Sequence, residues 1–160
     1  MPELPEVEVT LRGIKPHVLG KKITNVIIRF PRLRWAIPAD LPQKLTGRTL
    51  KDMTRRGKYL LLTFANGTLI IHLGMSGRLR IQHREVPIKK HDHVDICFAD
   101  YYLRFTDPRR FGAILWSETP EKHALLKNIG PEPLTKDFTA NYLYLGVYRV
   151  FSGTVTSGLP

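Results

Sequence analysis

The sequence predicts an α+β fold that is mainly β: a two-layer antiparallel β-sandwich or flattened barrel with an amino-terminal helix and one or two further helices. Three observations carry that expectation. Val7, Leu11, Ile14 and Val18 recur at helical spacing near the start, short β-rich runs fill the stretch from Lys22 to Trp116, and Asn66-Gly67 sits as a hairpin signal between two of those runs.

Pro5, Glu6 and Glu8 suit a first helical turn, where a missing N–H costs nothing and acids meet the positive end of the helix dipole. A helix over residues 5–19, stopped by Gly20, follows, with Pro16 expected to kink or shorten it. The β-rich runs span 23–30, 49–54, 59–64, 68–73, 78–82, 93–98, 103–106 and 113–116. Helical character returns at 120–128 and again at 135–144, after the turn Gly130-Pro131-Glu132-Pro133. Residues 146–160 carry one charge, Arg149, and are rich in Gly, Ser, Thr and Val, so a loose tail is expected there.

At 160 residues and 42% hydrophobic, the chain has material for one ordinary core. The 25 Lys and Arg against 14 Asp and Glu leave a formal charge of +11, which points to a polyanionic partner, nucleic acid first. The single cysteine, Cys97, lies in an apolar-alternating run and reads as a buried, inert thiol; one cysteine excludes a disulfide framework and a four-cysteine zinc site within this chain. No apolar run is long enough for a membrane span and no signal-peptide pattern appears, so a cytoplasmic protein with no membrane partner is expected.

Four constellations carry possible chemistry. At Met1-Pro2-Glu3-Leu4-Pro5-Glu6, removal of Met1 would leave Pro2 with a free secondary amine, of ordinary pKa near 8, able to attack an aldehyde-equivalent carbon while Glu3 moves protons; a frayed terminus whose acids begin a helix is the alternative. In His72-Leu73-Gly74-Met75-Ser76-Gly77, glycines on both sides let backbone approach a partner, and Met75 either projects as an apolar wedge or folds into the core. In Asp107-Pro108-Arg109-Arg110-Phe111-Gly112, arginines reach base edges and a ring fills a gap, or they are solvated arginines beside a core phenylalanine. The basic groups Arg55-Arg56-Gly57-Lys58 and Lys89-Lys90-His91, with Arg32 and Arg34, suit phosphate contacts; His91, His93 and Asp95 alternate like metal ligands but lack a second ligand set.

In order and spacing, these segments resemble the amino-terminal domain of bacterial formamidopyrimidine-DNA glycosylases. The resemblance runs through Pro-Glu-Leu-Pro-Glu-Val-Glu at the start, Arg-Arg-Gly-Lys-Tyr-Leu-Leu-Leu at 55–62, His-Leu-Gly-Met-Ser-Gly at 72–77, His-Asp-His-Val-Asp at 91–95, Asp-Pro-Arg-Arg-Phe-Gly at 107–112 and Gly-Pro-Glu-Pro-Leu at 130–134. It implies a base-excision repair enzyme, a DNA glycosylase and AP lyase acting on oxidised purines such as 8-oxoguanine and formamidopyrimidines in double-stranded DNA. By position, Pro2 is implied as the nucleophile, Glu3 as the proton shuttle and Glu6 as a supporting acid. Lys58, His72 and His91 are implied to hold phosphates around the extruded nucleotide. Met75, Arg109 and Phe111 are implied to fill the vacated space, with Arg110 beside them on DNA.

The resemblance covers residues 1–144 and leaves 145–160 as a divergent tail. Full-length members continue into helix-two-turn-helix and zinc-finger domains, which are absent here, so no cofactor is expected in this chain and the structural zinc belongs to the missing finger. A monomer with weak or absent glycosylase activity is expected, the alternative being a non-catalytic DNA-binding remnant.

Overall fold

The computed structural model describes residues 4–119, and all but the last of these belong to one compact unit, Met1–Glu118. The elements in chain order are α1 (Leu4–Val18), β1 (Asn25–Ile28), α2 (Leu41–Leu45), β2 (Asp52–Arg56), β3 (Tyr59–Phe64), β4 (Gly67–His72), β5 (Arg78–His83), β6 (Asp92–Cys97), β7 (Tyr101–Thr106) and β8 (Ala113–Ser117). The strands form two four-stranded antiparallel sheets, β1-β6-β7-β5 and β2-β3-β4-β8. Neither sheet closes on itself, so the sandwich form of the expectation holds and the barrel form does not.

The core is shared between the layers. Met53, Leu60, Leu62, Leu69, Ile71 and Ile114 come from one sheet, and Val26, Leu79, Val94, Ile96, Leu103 and Phe105 from the other. Each such side chain contributes roughly 1.5–3 kcal/mol by leaving water. Helix α1 adds the stripe Val7, Leu11, Ile14 and Val18, all buried as the spacing requires, and it packs against β2, β3 and β5. Its stripe therefore fixes where α1 lies relative to both sheets.

Three details differ from the sequence reading. Pro16 does not shorten the helix, which runs to Val18; proline in the final turn forfeits one intrahelical bond, and Leu19 N–H still reaches the Lys15 carbonyl at 3.0 Å. The β3–β4 hairpin turns on Ala65-Asn66 rather than Asn66-Gly67, because Phe64 pairs with Gly67. Gly67 is instead a strand residue against which the Trp116 indole lies, where any Cβ would collide with the ring. Finally, α2 was not foreseen: Leu41-Pro42-Gln43-Lys44-Leu45 is too short to show a period, and it forms because Leu41 and Leu45 are both buried. The helices expected at 120–128 and 135–144, and the tail, lie outside the described residues.

Candidate nucleic-acid interface

Register brings the motifs to one end of the sandwich. In the second sheet Tyr59 pairs with His72 and His72 with Ala113, so the Gly57-Lys58 turn, His72 and the segment just before Ala113 end in a row. In the first sheet Thr106 pairs with both Arg78 and Asp92, which aligns Gly77, Asp107 and His91 at its corresponding end. Two of the crossings between sheets, 73–77 and 107–112, run along this end. Loop 29–34 joins them: Arg29 N–H bonds the His93 carbonyl at 2.7 Å and Arg34 N–H bonds the Gly112 carbonyl at 3.1 Å.

The crossings are built on Asp107, whose side chain is fully buried. Its Oδ1 accepts the Ser76 hydroxyl at 2.7 Å and the Arg110 N–H at 3.1 Å, and its Oδ2 accepts the Gly112 N–H at 2.8 Å. Ser76 Oγ in turn accepts the Arg109 N–H at 3.1 Å. Arg110 takes a left-handed backbone (φ 58°), a conformation that costs roughly 1–2 kcal/mol outside glycine and is held here by these bonds. Gly74 is also left-handed (φ 65°), and a Cβ there would stand 2.6 Å from Gly112 N, so the two crossings touch backbone to backbone.

What projects from this frame decides two open alternatives. Met75 is 44% exposed and Phe111 46% exposed, so neither is a core residue. The Arg109 guanidinium lies 5.6 Å from the Phe111 ring centre, and that of Arg110 lies 4.5 Å from the Phe30 ring centre, so both arginines rest on aromatic faces. Sequence reasoning treated Asp107 only as a turn starter and gave Ser76 no role; a carboxylate whose partners are backbone amides and a serine 31 positions away leaves no local pattern to read.

Electrostatics distinguish the histidines. His72 packs on Tyr59 with ring centres 4.7 Å apart, and its Nδ1 accepts the Gly74 N–H at 2.9 Å. Burial, then the neighbouring cations Lys58 and Arg34, push its pKa down to about 3. It is therefore neutral at physiological pH, and the Gly74 bond assigns the proton to Nε2, leaving that N–H as a donor. Lys58 occupies the second position of a two-residue hairpin turn opened by the left-handed Gly57 (φ 60°). His91 is half-buried on the rim, and its carbonyl accepts the Asp107 N–H at 3.1 Å.

The metal-like run is committed elsewhere. His93 Nε2 bonds the Asp107 carbonyl at 2.8 Å, and Asp95 is gripped by Arg104 at 2.8 and 2.9 Å and by Arg29 at 2.7 Å. Burial opposes ionisation of Asp95, yet the bonds from Arg104 and Arg29 prevail and hold its carboxyl below the usual range. Among the described residues no group of three or more His, Cys, Asp or Glu side chains is arranged to hold a metal ion.

The start of α1 reaches the same region. Pro5, Glu6, Val9, Met75, Ser76 and Arg78 are among the residues lining one cleft of about 670 Å³. One turn on, Glu8 receives Arg55 at 2.7 Å and Arg12 at 2.8 Å; the Arg55 bond is the main reason its carboxyl sits below the usual range. Arg55 also bonds the Gly57 carbonyl at 3.2 Å, so it ties the helix to the turn that carries Lys58. Pro2 and Glu3 lie outside the described residues.

The comparisons agree with this geometry. The family model for the formamidopyrimidine-DNA glycosylase N-terminal domain matches residues 1–114. A formamidopyrimidine-DNA glycosylase of Cellvibrio japonicus is 59% identical over 145 residues, covering 90% of this chain and 54% of the relative. One from Methylococcus capsulatus is 60% identical over 146 residues with the same coverage. The chain thus spans about half the length of the curated relatives it matches. A crystal structure of Lactococcus lactis FPG with a FAPY-dG-containing DNA aligns with a TM-score of 0.76 at 36% identity, over 86% of this chain and 53% of that one. A complex of LlFpg with a THF-DNA and an inhibitor aligns at 0.77 and 37%, over 86% and 52%. With two open antiparallel sheets that gather Lys58, the 72–77 and 107–112 segments and His91 onto one rim, and a family model covering residues 1–114, this chain belongs to the formamidopyrimidine-DNA glycosylase family and contains its amino-terminal domain.

Proposed function

We propose that the chain acts in base-excision repair on double-stranded DNA carrying oxidised purines or abasic sites, as the catalytic half of a DNA glycosylase and AP lyase. The single observation that carries this reading is the cleft shared by Pro5 and Glu6 with Met75 and Ser76, in which the first turn of α1 lies beside the exposed Met75.

In this reading Met1 is lost and the Pro2 nitrogen, otherwise an amide, becomes a secondary amine. Its lone pair bonds to C1′ of the extruded nucleotide, the bond from C1′ to the base breaks, and the base departs with a proton. Opening of the sugar and loss of the amine proton give an iminium. A proton then leaves C2′ as the C3′–O bond breaks, and a second elimination breaks the C5′–O bond; Glu3 carries these protons and Glu6 supports the site.

Lys58, His72 and His91 hold backbone phosphates, His72 as a neutral donor and Lys58 as a cation, and Arg110 adds a contact to the DNA. Extruding a nucleotide costs a few kcal/mol, which Met75, Arg109 and Phe111 offset by filling the space it leaves. The formal charge of +11 draws the chain to the duplex. The structural zinc of the family's carboxy-terminal finger does not fit this chain: its only cysteine, Cys97, is buried and supplies no four-thiolate set.

The test is incision of a duplex with a preformed abasic site by the purified chain whose first residue is verified as Pro2. The reading expects strand cleavage that Pro2→Gly diminishes, with cleavage of an 8-oxoguanine duplex slow in comparison. Salt-sensitive duplex binding without any incision would favour a non-catalytic DNA-binding role instead.

A further inference from the structure

We propose that Asp107 and Ser76 are a positioning pair that locks the Met75 crossing to the Arg109–Phe111 crossing, so that both enter a duplex as one wedge. This rests on the glycosylase reading and adds to it two residues to which that reading gives no role.

Three separate observations support it. The Asp107 carboxylate has no exposed surface and accepts from both crossings at once, from Ser76 on one and from Arg110 and Gly112 on the other. Ser76 closes the loop by accepting the Arg109 N–H, so removing its hydroxyl opens two bonds that join the crossings. The backbone contact of Gly74 with Phe111 and Gly112 leaves no room for the crossings to slide. Met75 and Phe111 nevertheless stand in solvent, with Arg109 resting on Phe111. Apolar and cationic side chains held outward by a buried carboxylate are already ordered, so they lose little freedom on entering a base stack. A pair that served only stability would act on folding and leave the wedge side chains independent of it.

The experiment measures the preference of the full chain, at low salt, for a duplex containing a tetrahydrofuran abasic analogue over the undamaged duplex, with 2-aminopurine beside the lesion to report unstacking. Ser76→Ala is expected to reduce the preference about tenfold, in line with loss of a hydrogen bond to a charged group, and to lower the 2-aminopurine signal. Ser76→Thr, which keeps the hydroxyl, is expected to stay within about twofold of the parent, and in an Arg109→Ala background Ser76→Ala is expected to cost less than about twofold. Equal losses in both backgrounds, equal losses with Ala and Thr, or no loss at all would overturn the pair. If the parent chain shows no preference for the abasic analogue, the functional reading itself falls and the wedge with it.

Discussion

His72 makes a quantitative prediction about acid. Its imidazole pKa is pushed from an ordinary 6.5 down to about 3, first by burial and then by Lys58 and Arg34. The folded protein therefore binds fewer protons at this site than the unfolded chain throughout the interval between those values, and stability falls as pH drops through it. Between pH 7 and pH 5 the unfolded chain takes up the proton and the native ring does not. The resulting loss is about 2 kcal/mol, a ceiling because His72 is only half-buried and water softens the penalty. The range from pH 7 to pH 5 stays above the windows in which Asp95 and Glu8, both held below their usual 3.8 and 4.5, lose their contributions.

The assay is urea unfolding of the parent and of His72→Asn, whose side-chain oxygen replaces Nδ1 as the acceptor of the Gly74 N–H, at both pH values. The parent is expected to lose about 2 kcal/mol more than the variant on acidification. Equal losses would refute the reasoning, as would an NMR titration placing the His72 pKa near 6.5.

Further predictions follow from the same structure. Asp95→Asn removes the anion gripped by Arg104 and Arg29 at full burial, and urea unfolding is expected to register a loss of about 3–5 kcal/mol. Lys58→Ala is expected to lower the salt-dependence slope of duplex binding by about 0.9, measured from 50 to 200 mM salt, while His72→Asn leaves the slope unchanged because a neutral donor releases no counterion. Cys97 is buried and its thiol is pushed up by burial, so a disulfide reagent is expected to label it only at the rate of opening of the first sheet.

How far the sequence revealed these features follows from the range of the interactions. Strand β3 was read to the residue because Tyr-Leu-Leu-Leu-Thr-Phe is a continuous apolar run bounded by Gly57-Lys58 and Ala65-Asn66. The boundaries of β2 slipped: Leu50 is fully buried and so resembles a strand residue, yet pairing with β3 begins at Asp52. The hairpin register slipped by one residue because Asn-Gly fits a turn locally, whereas Trp116 claims the space beside Gly67 from a strand almost fifty positions away. Met75, Arg109 and Phe111 were visible as candidates, but their exposure belongs to two crossings that the Asp107 bonds join across 31 positions. The neutrality of His72 likewise comes first from burial and then from Lys58 and Arg34, assembled by pairing of β3 with β4 and by the loop that follows β1.

The proposed chemistry turns on an amine at residue 2 bonding to a sugar carbon of DNA. Borohydride trapping of the purified chain on an abasic duplex, followed by peptide mapping of the cross-link, tests it most directly. A single covalent adduct on Pro2 is expected in molecules that have lost Met1, and none in molecules that retain it. An adduct mapped to a lysine with Pro2 unmodified, or no adduct from chains verified to begin at Pro2, would contradict it.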